Sequence, residues 1–226
     1  MKQITVLLAE DHMIVREGLR VLLEAEGDIE VVGEAQTGRR AVQLTKRLRP
    51  AVVVMDIAMP QLNGLEATKR ILKAVPATRV LILSAHGDDG YLRQVVALGA
   101  AGYLIKQTSA NLLAKAIREV QKGNTFFSPS IANRLHSLSL NSPDGGRSLK
   151  KKCALSSREL EVLQLIAEGK ANKQIARGLG ISIKTVEKHR QHLMRKLDLH
   201  DTAGLTRYAI AAGIIESSVQ VTIIKQ

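Results

Sequence analysis

The sequence predicts an α/β domain followed by an all-α domain. Two observations carry that expectation. Over residues 1–122, five short runs rich in Val, Ile and Leu alternate with amphipathic helical patterns, which is how a parallel sheet covered on both faces reads in sequence. From Cys153 the chain reads as helical, with a tight turn, Gly180-Ile181-Ser182, between the second and third helices.

The strand-like runs lie at 4–9, 30–34, 51–55, 80–83 and 101–105. The first helix, 15–24, is apolar on one face at three-to-four spacing. Those at 38–49 and 65–75 stop at Pro50 and Pro76, and those at 89–98 and 110–122 stop at Gly99 and Gly123. Residues 123–152 break the pattern and read as a linker. Phe126-Phe127-Ser128-Pro129 and 131–135 suggest a short ordered extension of the first domain. Asn141-Ser142-Pro143-Asp144-Gly145-Gly146 and Lys150-Lys151-Lys152 read as flexible and basic.

Composition narrows the classes. No apolar stretch approaches the roughly 20 residues that span a bilayer, and the N-terminus runs directly into a strand pattern, so a cytoplasmic protein is expected. A single cysteine, Cys153, cannot form an internal disulfide, and no Cys/His cluster has zinc spacing. The net charge is +12, with an excess of four cations in each of 1–122, 123–152 and 153–226. The excess is densest outside the first domain and suits a polyanionic partner. Aromatic residues make up only 2%, which argues against single-strand binding by base stacking.

Four of the five strand-like runs end on chemistry. The first leads into Glu10 and Asp11, the third into Asp56, the fourth into Ser84 and the fifth into Lys106. Ligands of such sheets bind beyond the carboxyl ends of the strands. Clustered carboxylates repel one another and need a divalent cation, and hard oxygen donors at an open site favour Mg²⁺. Asp56 can then attack a phosphoryl group as a carboxylate nucleophile. Mg²⁺ and the Lys106 ammonium would neutralise the phosphoryl oxygens, and Ser84 would hydrogen-bond one of them. An aspartyl-phosphate phosphohydrolase would use the same nucleophile. It wants an acid two residues on, where this chain has Ala58, so a non-enzymatic use is expected.

Residues 1–122 resemble a response-regulator receiver domain (CheY-like). The resemblance rests on Glu10-Asp11, on Asp56 with its trailing Met59-Pro60 and Gly64, and on Ser84, Tyr103 and Lys106. It implies a flavodoxin-like, doubly wound, five-stranded parallel sheet of order 2-1-3-4-5. It further implies that a sensor histidine kinase phosphorylates Asp56. Mg²⁺ would be held by Asp11, Asp56 and the Ala58 backbone carbonyl, with Glu10, where many relatives have Asp, helping through water. Ser84 would move toward the phosphoryl group and Tyr103 would turn inward, a population shift between two packings. Ala58 and His86 would flank the site.

In the C-terminal part, Ser156 and Glu159 form a capping box. Leu160, Leu163, Ile166 and Ala167 make one apolar stripe, ended by Gly169. Helices at 172–179 and 183–197, the second capped by Ser182, make a helix-turn-helix. A fourth at 203–212, capped by Asp201 or Thr202, ends at Gly213. The strings Leu155-Ser156-Ser157-Arg158-Glu159, Asn172-Lys173-Gln174-Ile175-Ala176 and Lys184-Thr185-Val186-Glu187-Lys188-His189-Arg190 resemble the LuxR-type DNA-binding domain of the NarL/FixJ subfamily.

In the third of these helices Val186, His189, Leu193 and Leu197 share the inward stripe. Lys184, Glu187, Lys188 and Gln191 face outward, toward a major groove, and Arg190 and Arg195 are placed for phosphates. Ser182 and Thr185, at its start, belong to the same predicted DNA-contacting set. Lys170, Asn172 and Lys173 suit backbone contacts. Glu187 either accepts from a cytosine or orients Arg190 or Gln191. The resemblance makes the last helix a dimer contact, packing against its own bundle being the alternative. The expected organisation is a receiver at 1–122, a linker at 123–152, a DNA-binding domain at 153–216 and a tail at 217–226. It describes a phosphorylation-controlled regulator that binds double-stranded DNA as a homodimer. In its resting state the receiver would cover the third helix. A phosphorylation-independent DNA-binding protein, with the receiver as a dimerisation scaffold, is the alternative.

Overall fold

The structure, a computed structural model, describes residues 3–85, 89–107, 110–140 and 155–215. His86, the stretch 141–152, Cys153 and the tail at 217–226 lie outside the described residues. The chain divides into two compact units, Met1–Lys152 and Cys153–Gln226.

The first unit is built on six parallel strands: β1 (Ile4–Ala9), β2 (Ile29–Ala35), β3 (Val52–Asp56), β4 (Arg79–Ser84), β5 (Gly102–Ile105) and β6 (Phe126–Phe127). Their order is β2-β1-β3-β4-β5-β6. Helices α1 (Met13–Glu24), α2 (Gly38–Leu48), α3 (Gly64–Ala74), α4 (Asp89–Leu98) and α5 (Ala110–Gln121) connect the first six strands in turn, and α6 (Pro129–Leu140) follows β6. Because strand side chains alternate between faces, the sheet feeds two apolar layers. Leu7, Val53, Met55, Ile82 and Tyr103 pack with Ala41, Leu44, Ile71, Leu92 and Val95 from α2, α3 and α4. Val6, Leu8, Val54, Leu81 and Leu104 pack with Leu23, Leu113, Ala116 and Ile117 from α1 and α5. With both faces covered, β3 is buried throughout.

The sequence predicts five strands, and the sheet has a sixth. Two residues are too short a run to show any period, so Phe126 and Phe127 read as part of a linker. In space they add to the open edge of β5, with Gly102 opposite Phe126 and Tyr103 opposite Phe127. Gly102 is required there, since a Cβ would overlap the Phe126 carbonyl oxygen. The next helix closes onto the first layer. Ile131 is fully buried in the same cluster as Tyr103, with Phe127 and Leu135 packed against it.

The second unit holds α7 (Ser157–Ala167), α8 (Asn172–Leu179), α9 (Ile183–Leu197) and α10 (Thr202–Ala211). Val162, Leu163, Ile175, Val186, Leu193, Leu205 and Ala209 are its fully buried core. Every start has a local reason. Ser156 and Glu159 close the expected capping box. Ala171 has no side-chain acceptor, so α8 keeps only the reciprocal half, Gln174 Oε1 accepting from the Ala171 N–H at 2.9 Å. Ser182 caps α9, and Asp201, rather than Thr202, caps α10. Gly180 at φ +63° ends α8, and Arg158 donates from Nη2 to the Leu179 carbonyl at 2.9 Å.

Two outcomes follow. Ile131→Ala should lower the stability of the first unit by about 2–4 kcal/mol, the cost of emptying a filled core position. Denaturant titration yielding less than about 0.5 kcal/mol would separate α6 from that core. The second concerns Glu159, 12% exposed. Burial raises its pKa, but the Ser156 backbone bond and Lys196 outweigh this and leave it lowered. A lowered carboxylate gives stability that is present above its unfolded pKa and lost as pH falls through the folded one. Acid unfolding of the full-length protein should therefore lose part of its pH dependence below about pH 5 in Glu159→Gln, and an unchanged pH profile would count against the lowered carboxylate.

Candidate phosphoryl-acceptor site and nucleic-acid interface

Topology brings four strand ends together. Asp56 closes β3 between β1 and β4, Glu10 follows β1, Ser84 ends β4 and Lys106 follows β5. Glu10 and Asp56 are each 2% exposed. Lys106 Nζ sits between them, 2.9 Å from Glu10 Oε2 and 3.0 Å from Asp56 Oδ2. Burial alone would lower the lysine's pKa, but the two carboxylates outweigh it and raise it, so Lys106 is a cation here. The Lys106 N–H donates to the Ser84 carbonyl at 2.7 Å, tying the last two strand ends. The β3–α3 loop folds back under Asp56 through Gly64 N–H to Ile57 O at 2.8 Å, with Met59 and Leu62 buried beneath. A Cβ on Gly64 would overlap the Asp56 carbonyl oxygen, so only glycine lets α3 begin this close to the acid. Ala58 lies half-buried in this loop.

Asp11 is partly exposed, and the residue after it joins the site. His12 Nδ1 lies 2.9 Å from Asp11 Oδ1 and 3.1 Å from Glu10 Oε1. Asp11, then the Glu10 hydrogen bond, raise its pKa. Glu10, Asp11, His12 and Asp56 each offer a ligand atom, all within 4.8 Å of one another. Three carboxylates, two of them buried around one ammonium, fit a small hard dication such as Mg²⁺. Beneath the loop, Arg16 is 4% exposed. Its Nη1 donates to the Glu10 carbonyl at 2.9 Å and to the Asp11 carbonyl at 3.4 Å, and its Nε to Glu34 Oε2 at 2.9 Å. Tyr103 is fully buried, so the inward position is the one occupied in this structure. Its backbone carbonyl accepts from the Ser128 N–H at 3.1 Å.

On the second unit, α9 presents a shallow groove of about 560 Å³ lined by Lys184, Glu187, Lys188, Gln191, His192 and Arg195. Val186 and Leu193, on the opposite stripe, are fully buried, and His189 is half-buried. Lys170 and Lys173 are exposed at the start of α8. Ser182 and Thr185 share a hydroxyl contact of 2.8 Å at the start of α9. Arg190 differs from its neighbours. It donates to Thr202 Oγ1 at 2.8 Å and to Asn172 Oδ1 at 3.4 Å, bridging the starts of α10 and α8. Tyr208 and Ile210 of α10 are 37% and 39% exposed, while its Leu205 and Ala209 fill the bundle.

Residues 6–118 match the response regulator receiver domain, and residues 153–209 match the bacterial regulatory proteins of the luxR family. The chain belongs to the response-regulator family. It is similar across nearly its whole length to the transcriptional regulatory protein LiaR of Bacillus subtilis, 41% identical over 206 residues that cover 91% of this chain and 96% of the relative. It is 37% identical over 214 residues to the oxygen regulatory protein NreC of Staphylococcus carnosus, covering 93% and 99%. A solved RcsB–DNA complex superposes with a TM-score of 0.56 at 30% identity, over 92% of this chain and 98% of that one. A receiver joined to a luxR-type domain makes the protein a DNA-binding transcriptional response regulator. No helix among the described residues is long and apolar enough to cross a membrane.

In this response regulator the structure brings together Glu10, Asp11, Asp56, Ser84 and Lys106 and sets Tyr103 beneath them. Three residues on these surfaces escape sequence reasoning: His12, Arg16 and His192. His12 had a signal in its place directly after the acid pair. Arg16 lies in an amphipathic helix, where a charge reads as solvated. Arg16→Gln leaves Glu34 without its main partner and frees the Glu10 and Asp11 carbonyls. We expect a loss of about 2–4 kcal/mol in unfolding free energy, together with weaker Mg²⁺ binding by titration calorimetry. Unchanged values for both would make Arg16 a surface charge.

Proposed function

We propose that Asp56 accepts a phosphoryl group from a sensor histidine kinase and that this modification controls binding of a homodimer to double-stranded DNA. The observation that carries the reading is the Glu10–Lys106–Asp56 cluster at the sheet's carboxyl edge, on the same chain as the basic α9 groove. In the transfer, an Asp56 carboxylate oxygen forms the new P–O bond as the P–N bond of the phosphohistidine breaks. Mg²⁺, when bound by Asp11, Asp56 and the Ala58 carbonyl with Glu10 beside them, supplies charge neutralisation for the phosphoryl oxygens. Lys106 gives up its contact with Asp56 Oδ2 to pair with a phosphoryl oxygen, and the Ser84 hydroxyl hydrogen-bonds another.

Loss of that lysine contact disturbs the β4 and β5 ends together, since Lys106 and Ser84 are joined through the backbone. The disturbance reaches Tyr103, one strand position from β6 and in side-chain contact with the layer that holds Ile131. We therefore place the route toward the linker through β6 and α6. At the output, Lys184, Lys188 and Gln191 face the major groove, and Glu187 accepts from a cytosine N4 there. Arg195, Lys170 and Lys173 neutralise phosphates, with Ser182, Thr185 and Asn172 at the two helix starts. Arg190 is a strut that sets α9 against α8 and α10. The exposed Tyr208 and Ile210 of α10 suit the dimer contact.

A small phosphodonor should label the wild-type protein and tighten its binding to a sequence selected from random duplexes by about fivefold or more. Asp56→Asn should do neither, and labelling of that variant would remove the assignment. On DNA, Arg195→Ala should weaken all sequences alike and lower the slope of log affinity against log salt by about 1. Glu187→Gln should instead relax preference at one base pair by about 1–3 kcal/mol. A uniform loss in Glu187→Gln would take that residue off the base edges.

A further inference from the structure

We propose that His12 is a direct nitrogen ligand in the cation site of the receiver, so that the site takes borderline divalent transition ions such as Ni²⁺ and Co²⁺ as well as Mg²⁺. The inference rests on the reading of Glu10, Asp11 and Asp56 as a cation site.

Geometry supports it first. Adjacent ligands on an octahedron with metal–ligand bonds of about 2.1 Å are roughly 3 Å apart. His12 Nδ1 stands 2.9 Å from Asp11 Oδ1 and 3.1 Å from Glu10 Oε1. A cation bridging these atoms would need little movement of the three side chains, and Asp56 lies within the same 4.8 Å set.

The backbone supports it next. His12 is the N-cap of α1, at φ −73° and ψ 113°, yet its side chain makes no capping hydrogen bond. The helix therefore does not claim the ring, which turns to Glu10 and Asp11 instead. Its N–H donates to Glu10 Oε1 at 3.1 Å, which folds the residue back over the strand end. Arg16 holds the two preceding carbonyls from below, fixing the turn on which Glu10, Asp11 and His12 sit. The imidazole is 63% exposed, so a hydrated ion can reach it.

The donor set then decides the ion. Oxygen ligands alone suit Mg²⁺ and Mn²⁺, whereas imidazole suits Ni²⁺, Cu²⁺ and Zn²⁺, and affinity rises along Mn²⁺, Co²⁺, Ni²⁺ and Cu²⁺ for any mixed site. One imidazole beside three carboxylates leaves Mg²⁺ a usable oxygen site and adds a selective gain for the later ions. Lys106 opposes any cation here, so a nitrogen donor that favours one class sets which ion enters.

The test uses the full-length protein and His12→Asn. Asn is a better N-cap than His, so folding is kept. Ni²⁺ and Mg²⁺ affinities are measured by calorimetry at mildly alkaline pH, and the visible spectrum of bound Co²⁺ reports nitrogen ligation. The variant should bind Ni²⁺ at least about tenfold more weakly, lose the nitrogen signature of Co²⁺, and bind Mg²⁺ within about threefold of the wild type. Equal losses for Ni²⁺ and Mg²⁺, or none for Ni²⁺, would overturn the proposal and leave His12 as a counter-ion to the acids. Asp11→Asn separates the two layers of the argument: it should weaken both ions. If it binds both as the wild type does, the acidic site itself is misread and the His12 assignment falls with it.

Discussion

Two buried carboxylates share one ammonium, and much of the receiver follows from that arrangement. Glu10 and Asp56 would each be costly in an apolar surround if left alone. Lys106 makes them tolerable without matching them, so the cluster keeps an excess of negative charge where the strands end. Such a site lowers its energy by taking up a cation. A cation there would also weaken the repulsion that an anionic donor meets on approaching Asp56, which the proposed phosphoryl transfer requires.

The surrounding loops exist to hold this imbalance in place. Arg16 reaches under the β1–α1 turn to two carbonyls, and Gly64 lets α3 start against the Asp56 backbone. Arg118, far from the cluster, does similar work for the fold. It binds both oxygens of Asp28, at 2.7 and 2.8 Å, and Glu26 at 2.7 Å, clamping α5 to the turn before β2. These arginines suit the task because a planar guanidinium engages several acceptors at once. In the second unit Arg158 and Arg190 repeat the device, the first at the end of α8 and the second across the starts of α8 and α10. That leaves Lys184, Lys188 and Arg195 on the α9 groove for another partner.

Much of this was legible in sequence, and the limits have physical causes. Strands flanked by helices could be placed because Val/Ile/Leu runs and Pro or Gly stops are local signals. The acid, hydroxyl and lysine positions stood out because each breaks an apolar run at a predictable end. The sixth strand did not stand out. Phe126 and Phe127 become a strand only because Gly102, 24 residues earlier, leaves room for them. Arg16 was hidden for the opposite reason: its position in a helical pattern says surface, and only the approach of Glu34 and two carbonyls buries it. Arg190 reads in sequence as a phosphate ligand, and its bonds to Thr202 and Asn172, 12 and 18 residues away, are long-range contacts that no local pattern shows.

The sixth strand also bears on how the protein survives at high concentration. A parallel sheet ends in two rows of unsatisfied backbone groups that invite pairing with another chain. On one side β6 covers β5, and being two residues long it offers a newcomer little ladder of its own. On the other side β2 carries Glu30, exposed, and Glu34, held by Arg16 and Arg20. Charge at one margin and brevity at the other guard the receiver against edge-to-edge aggregation, so that self-association is left to surfaces other than the sheet edges.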